Sequence, residues 1–185
     1  GEQYNRKPLE SLSLDKFRPE ISPQPDGVPV MRLPTLVKFQ PEGREKMPGA
    51  EFLAFPLLHD VICSPRWLGR PSAELLRRIE QVMREFGVAR AEFLPYWSIA
   101  TELKSDPAGA VVSGYLSPDG KRLLLVAQSR GAAQAYRLAL GGRLASLCRA
   151  PARDALSDTA LEWIRGELLW PLPKGSVALA IVERR

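Results

Sequence analysis

The apolar residues of this chain change their spacing near residue 99. Before that point they recur every three or four residues, as on one face of a helix, at Leu75, Ile79, Val82, Met83 and Phe86. This spacing predicts a helix over 72–86, with Ser72 as its N-cap and Gly87 as its stop. Beyond residue 99 the apolar residues alternate along short segments, which is typical of strands. The chain is therefore expected to change architecture near its middle.

The clearest predicted strand pair surrounds the segment 117–120 (SPDG). Apolar runs lie on both sides of it, at 111–116 and 121–127, and tight turns favour Pro, Asp and Gly. A β-hairpin is therefore predicted here. Further strands are predicted at 135–140, 143–149, 161–169 and 176–183. Short strands at such intervals indicate an antiparallel β-sandwich.

The first half of the chain contains a nearly continuous apolar run at 52–58 (FLAFPLL). Such a run is typical of a strand covered on both faces, as in a parallel sheet. The prolines of residues 1–50 leave room for only a helical turn at 13–18 and a strand at 28–33. A strand, a loop and a helix in this order are consistent with the closing units of a β/α barrel.

His59 and Asp60 follow the apolar run immediately, and ligands gather at the carboxyl ends of such strands. Adjacent strand residues point to opposite faces, so the two are not expected to act on each other as a dyad. Either the imidazole or the carboxylate could bind a substrate hydroxyl in a pocket. The alternative interpretation is structural: His59 bonds a backbone carbonyl, and Asp60 caps the following loop.

The segment 92–97 (EFLPYW), called the aromatic segment below, lies between the two patterns. Phe93, Tyr96 and Trp97 can each bury a large apolar surface, and Pro95 fixes a bend among them. In one interpretation these rings only join two domains. In the other, Tyr96 or Trp97 also forms a wall of a site for a sugar or another ring-shaped ligand.

Composition and motifs argue against several classes of function. The net charge of +5 comes from arginines interleaved with Asp and Glu, unlike the clustered cations of nucleic-acid-binding proteins. Cys63, Cys148 and His59, the single histidine, provide neither a disulfide framework nor metal-ligand spacing. No apolar run approaches the ~20 residues that span a bilayer, and no phosphate-cradling loop occurs. We therefore predict no metal, no cofactor, no nucleic-acid partner and no membrane span.

Catalytic carboxylates cannot be picked out by spacing. Glycoside hydrolysis needs two carboxyl groups held ~5 to 9 Å apart, or one carboxyl group assisted by the acetamido group of the substrate. Glu92 is expected either to pair with an arginine or to meet substrate. The chain begins at Gly1 without an initiator methionine, so we expect a fragment that lacks its upstream part and any export signal.

Several short motifs occur together along most of the chain. They are Gly1-Glu2 with Tyr4, 15–17 (DKF), 27–30 (GVPV), Leu33-Pro34, 57–60 (LLHD), 86–87 (FG), the aromatic segment, and the hairpin from 112–115 to 120–126. In this order they resemble the C-terminal part of large bacterial proteins related to glycoside hydrolase family 123, the β-N-acetylgalactosaminidase type.

This resemblance implies an α/β part followed by an all-β part. Residues 1–97 would hold the last units of a TIM-like β/α barrel, and residues 98–185 a C-terminal antiparallel β-sandwich. In the family an adjacent Asp-Glu pair acts with the substrate acetamido group. No Asp-Glu dipeptide occurs here, which implies that the catalytic carboxylates lie upstream, in a part of the parent chain that is missing.

The same resemblance implies a carbohydrate partner and a site for it. The residues expected to line the sugar site are Glu2, His59, Asp60, Tyr96 and Trp97. We expect the isolated fragment to be inactive, because an incomplete barrel cannot hold two carboxyl groups in place. A periplasmic or secreted location of the parent is a further expectation.

Two alternatives stay open at this point. In the first, residues 99–185 are a non-catalytic module that binds polysaccharide or holds a barrel in shape. Trp163 and Trp170 would then either bind glycan or pack in the core of the module. In the second, the whole chain is an intracellular α+β interaction protein, which the lack of a disulfide framework permits.

Overall fold

A computed structural model describes residues 38–39, 45–46, 53–61, 68–130 and 134–184. The chain forms two compact units, Gly1–Leu76 and Arg77–Arg185. Three of the predicted features lie outside the described residues: the helical turn at 13–18, the strand at 28–33 and the candidate site residue Glu2.

In the first unit, β1 (Lys38–Phe39) and β2 (Glu45–Lys46) pair antiparallel. Helix α1 (Ala54–Leu58) occupies the apolar run, so the strand predicted at 52–58 is wrong. A short run that is apolar on every side does not distinguish a buried strand from a buried helix. Pro56 is the third residue of α1, a position at which a helix does not need the backbone N–H that proline lacks.

Helix α2 (Arg70–Phe86) confirms the helix predicted from the apolar spacing. The predicted N-cap is wrong, because the helical hydrogen bonds already begin at the carbonyl of Gly69, three residues before Ser72. Gly87 ends the helix as predicted. Its φ is 88°, and its N–H donates to the carbonyl of Met83 at 3.1 Å.

One antiparallel sheet of nine strands makes up most of the described second unit. In chain order its strands are β3 (Glu92–Leu94), β4 (Leu103–Asp106), β5 (Ala110–Leu116), β6 (Arg122–Ser129), β7 (Gln134–Leu140), β8 (Ala152–Asp154), β9 (Ala160–Ile164), β10 (Glu167–Leu172) and β11 (Val177–Glu183). In space the order is β3-β5-β6-β11-β8-β9-β10-β7-β4. The predicted hairpin is confirmed as β5 and β6, and two other predicted strands are confirmed as β7 and β11.

Two segments differ from their predicted strands. The segment predicted at 143–149 contains a 3-10 helix, Gly142–Leu147, in which Leu144 and Leu147 are buried. The segment predicted at 161–169 is split between β9 and β10 by a tight turn. Its residues Arg165 and Gly166 have φ values of 54° and 86°, and two successive positive φ values are typical of a type I′ hairpin turn.

The sheet curls, and the chain topology requires it to curl. β3 and β4 are consecutive in the chain but lie at opposite edges of the nine-stranded sheet. Strands spaced ~4.8 Å apart would set the edges of a flat nine-stranded sheet ~38 Å apart. The link over 95–102 could span ~31 Å if it were fully extended, and it instead contains two hydrogen-bonded turns. The two edges must therefore approach each other.

The concave side of the curled sheet encloses one hydrophobic core. Side chains from both ends of the strand order belong to it, including Leu94 of β3, Leu125 of β6, Leu138 of β7 and Trp170 of β10. Ile99, Leu144 and Leu147 fill the side between the two edges. The all-β character predicted for this part is confirmed, but the two-sheet sandwich is replaced by a single curled sheet. Local alternation does not distinguish the two, because both turn one face of each strand toward the core.

The two halves of the sheet differ on their outer face. Strands β5, β6 and β11 are buried on both faces, whereas β7 alternates between buried and exposed residues. The second half of α2 lies against the outer face. The Arg122 guanidinium of β6 lies 4.7 Å over the ring of Phe86, and Arg78 donates to the Leu156 carbonyl in the turn after β8.

Residue 97 does not interrupt the sheet. β3, which precedes this residue, pairs with β5, which follows it. In the described part of residues 1–97 all strand pairs are antiparallel, so the parallel strands of a β/α barrel are not among them. The division of the chain into a barrel fragment at 1–97 and a separate domain at 98–185 stays a prediction.

Candidate functional site

The aromatic segment begins in the edge strand β3. The antiparallel register with β5 sets Phe93 opposite Tyr115, and the two ring centroids lie 5.2 Å apart with 44° between the ring planes. Because the neighbouring Leu94 points into the core, Phe93 and Tyr115 lie on the outer face. Tyr115 is 1% exposed and Phe93 is partly exposed, so this pair connects the buried layer with the surface.

The segment then turns at Pro95. The Pro95 carbonyl accepts hydrogen bonds from the backbone N–H and the hydroxyl of Ser98, at 2.9 and 3.1 Å. The backbone N–H of Tyr96 donates to the Ser113 hydroxyl of β5 at 3.1 Å. The bond to Ser113 attaches the backbone of Tyr96 to the sheet, and the bonds from Ser98 close the turn that contains Tyr96 and Trp97.

The rings of Tyr96 and Trp97 stand at right angles. Their centroids are 5.0 Å apart with 85° between the planes, and Trp97 also lies 6.3 Å from Phe93 at 70°. Both are edge-to-face contacts, a favourable arrangement for aromatic rings. Tyr96 and Trp97 are partly exposed. The four rings of Phe93, Tyr96, Trp97 and Tyr115 are called the aromatic cluster below; the first three residues are partly exposed and Tyr115 is buried.

His59 and Asp60 belong to the first unit, where they follow the helix α1. His59 is 1% exposed, and its Nδ1 lies 2.6 Å from the Phe55 carbonyl. A carbonyl only accepts, so Nδ1 carries the proton of this bond. Such a bond is what the structural interpretation of His59 predicts. Asp60 is exposed with a φ of 56°. Sugar binding by these two residues, and by Glu2, stays a prediction.

A polar cluster bridges the two edges of the sheet. Arg143 donates from Nη1 to both carboxylate oxygens of Glu92, at 2.8 Å each, and from Nε to Glu102 at 3.0 Å. Glu92 begins β3, Glu102 directly precedes β4, and Arg143 lies in the 3-10 helix. The hydrogen bonds, above all those to Glu92, raise the pKa of the Arg143 guanidinium.

The arrangement at Arg143 bears on catalysis. In glycoside hydrolysis the general acid must hold a proton, whereas carboxylates bound to a guanidinium act as acceptors. We therefore interpret Glu92 and Glu102 as partners of a structural ion pair. The sequence suggested an arginine for Glu92, but it contained no sign of Arg143 or Glu102. Arg143 lies 51 positions after Glu92 and 41 positions after Glu102 in the chain.

The described residues contain no group of three His, Cys, Asp or Glu side chains that could hold a metal ion. In the aspartate-containing segment 154–158, one Asp154 oxygen accepts the backbone N–H groups of Leu156 and Ser157 at 3.0 and 2.8 Å. This segment is a surface turn. None of the helices in the described ranges is long and apolar enough to cross a bilayer.

The tryptophans of β9 and β10 pack in or against the core. Trp170 is 0% exposed, and its indole N–H has no hydrogen-bond partner among the described residues. Trp163 packs against the core and donates its indole N–H to the Ala150 carbonyl at 2.7 Å. This confirms the core interpretation of Trp170, whereas Trp163 packs against the core and is partly exposed, as Trp97 is.

No model of a known protein family matches the chain, and no curated protein sequence matches it. Among solved structures, the crystal structure of Thermotoga maritima alpha-fucosidase in complex with fucose matches at 12% sequence identity and a TM-score of 0.35. The match covers 75% of this chain and 35% of the fucosidase chain, so this chain spans about a third of that enzyme. Family 123 in particular receives no support from these comparisons.

Proposed function

We propose that this chain is part of a carbohydrate-active glycoside hydrolase and that its aromatic cluster contacts the sugar. The observation that carries the proposal is the partly exposed, perpendicular pair of Tyr96 and Trp97 on a fixed backbone. Aromatic rings with a polar group at one end suit ligands that combine an apolar face with hydroxyl groups. The resemblance of the short sequence motifs to those of proteins related to family 123 is in keeping with the same class of ligand.

The proposal places the hydrolytic chemistry upstream of this chain. Glu92, which begins the aromatic segment, and Glu102, which follows it, are both bound by Arg143. The catalytic carboxylates of the parent would therefore come from another part of its chain, with His59, Asp60 and Glu2 as further sugar contacts. The isolated chain is then expected to be inactive, and the parent periplasmic or secreted. Cleavage of aryl glycosides by the purified chain at an enzyme-like rate would contradict this assignment.

Isothermal titration of the full chain against a panel of glycans tests the proposal. Trp97→Ala removes a partly exposed ring and is expected to weaken glycan binding at least tenfold, which corresponds to about 1.4 kcal/mol. Trp163→Phe is the matched control, because it changes a tryptophan of the sheet that packs against the core. No measurable heat with any glycan, or equal losses in both variants, would refute the role of the aromatic cluster.

A non-catalytic carbohydrate-binding or scaffolding module is the second candidate. It is favoured by the single core that the curled sheet encloses and by the binding of Glu92 and Glu102 to Arg143. The genomic sequence upstream of Gly1 separates the two. An upstream barrel with an acidic pair supports the hydrolase, whereas an unrelated upstream domain supports the module.

A further inference from the structure

The angles within the aromatic cluster restrict the shape of the ligand. The planes of Tyr96 and Trp97 meet at 85°, and those of Phe93 and Trp97 at 70°. A flat face of an insoluble polysaccharide contacts several rings together only if those rings lie in one plane. Neither of these two ring pairs, Tyr96 with Trp97 and Phe93 with Trp97, comes near a common plane.

We infer that the aromatic cluster binds the terminal sugar ring of a soluble glycan in the corner between Tyr96 and Trp97, and not the flat surface of an insoluble polysaccharide. This inference rests on the proposed function. A sugar that lies flat on one of the two rings meets the plane of the other as a wall at right angles. The wall blocks continuation of the glycan on that side, so the sugar in the corner carries its linkage on another side, as the terminal ring of a chain does.

Contacts with the rest of the fold restrict the movement of Tyr96 and Trp97, which form the corner. The backbone of Tyr96 is bonded to Ser113, and the turn after Pro95 is closed by Ser98. On the sheet side, Phe93 packs against the buried ring of Tyr115. To bring the rings of Tyr96 and Trp97 into one plane would break their edge-to-face contact, which is a favourable arrangement of aromatic rings. A site held in one geometry loses less entropy on binding a ligand of matching shape.

Two measurements on the full chain test the inference. In the first, the protein is mixed with microcrystalline cellulose and with chitin powder, and the protein left in solution is quantified. In the second, titration compares N-acetylgalactosamine, galactose and fucose with oligosaccharides that end in the same sugars. We expect no depletion by the insoluble polymers, and we expect each monosaccharide that binds to do so within about tenfold of its oligosaccharide.

The variants make the result specific to the corner. Trp97→Ala and Tyr96→Ala should each weaken soluble binding at least tenfold, while Trp163→Phe leaves it unchanged. Trp97→Phe serves as the second variant if the alanine variants lose their native circular dichroism, and it should weaken binding less. Depletion by cellulose or chitin, or an affinity that rises more than tenfold with each added sugar, overturns the corner but leaves carbohydrate binding intact. Binding of neither kind of ligand overturns the proposed function itself.

Discussion

Asp119 holds the turn between β5 and β6 through one carboxylate oxygen. This oxygen accepts the Ser117 hydroxyl at 2.6 Å and the Lys121 backbone N–H at 3.0 Å. The bond from Ser117, followed by that from Lys121, lowers the pKa of the Asp119 carboxyl. A carboxyl whose pKa is lowered by folding stabilises the native state above its unfolded pKa, near 3.8. That contribution is lost as the pH falls through the folded value.

Asp119→Asn is therefore expected to lower the free energy of unfolding at pH 7 and to reduce its dependence on pH below about pH 4. Urea unfolding at a series of pH values measures both effects. Ser117→Ala removes the strongest partner of the carboxylate and should reproduce part of the change, whereas Glu80→Gln, at an exposed position of α2, should not. If the free energy of unfolding of Asp119→Asn fell as steeply below about pH 4 as that of the unmodified protein, the role of the carboxylate would be contradicted.

Gly142 and Gly120 offer a matched pair of glycines. Both have positive φ, 51° and 67°. A Cβ at Gly142 would lie 3.2 Å from Cγ of Glu102, whereas a Cβ at Gly120 would meet nothing within 4 Å. Gly120→Ala should cost about 1–2 kcal/mol of stability from backbone strain alone. Gly142→Ala should cost more, because it also displaces the Glu102 side chain that binds Arg143. Equal losses of stability in the two variants, measured by denaturant unfolding, would show that the Glu102 side chain moves away from the new Cβ without cost.

At the residue scale, the candidate site could be predicted only in part. The sequence identified Tyr96 and Trp97 as rings able to contact a ligand, because their side chains carry both apolar surface and a polar group. It could not predict the right angle between them, which arises from the packing of the two rings against each other and against Phe93. His59 and Asp60 were placed after a strand, and the structure places them after a helix.

At the scale of elements, Arg143 joins the beginnings of β3 and β4, the two edge strands. Arg143→Gln should lower stability by about 0.5–1 kcal/mol, a modest loss because the ion pairs are solvent-exposed. Hydrogen exchange of the amides in β3 and β4 should accelerate, since the edges lose their connection. The difference in stability between Arg143→Gln and the unmodified protein should shrink at high salt, because salt screens the ion pairs. Unchanged exchange at both edges would mean that the core alone holds them together.

The success of prediction for each element followed the strength of its local signal. α2 has apolar residues at helical spacing and a glycine stop, and the hairpin of β5 and β6 has Pro, Asp and Gly in its turn. Elements whose conformation depends on distant packing were missed. α1 is a short apolar run, and the segment after β7 became a 3-10 helix because Leu144 and Leu147 fill the side between the edges.

At the scale of the whole molecule, the core of the curled sheet should unfold as one unit. Leu168 of β10 and Leu125 of β6 lie in different parts of the sheet but belong to the same core. Leu168→Ala should cost about 2–5 kcal/mol, and it should reduce amide protection in β5 and β6 as well as in β10. Leu169→Ala, at a partly exposed position of the same strand, is the control and should cost less. Protection lost only near β10 would indicate two separate cores.

The strand order also has a consequence for synthesis. β11 follows every other strand of the sheet in the chain, yet it lies between β6 and β8 near the centre. While a ribosome is still producing residues 177–183, the strands already made can form only two partial ribbons, whose inner strands β6 and β8 are unpaired on one side, and β6 is rich in apolar side chains. The nascent protein therefore depends on its final strand to join the ribbons, and translation that stops early would release an aggregation-prone intermediate.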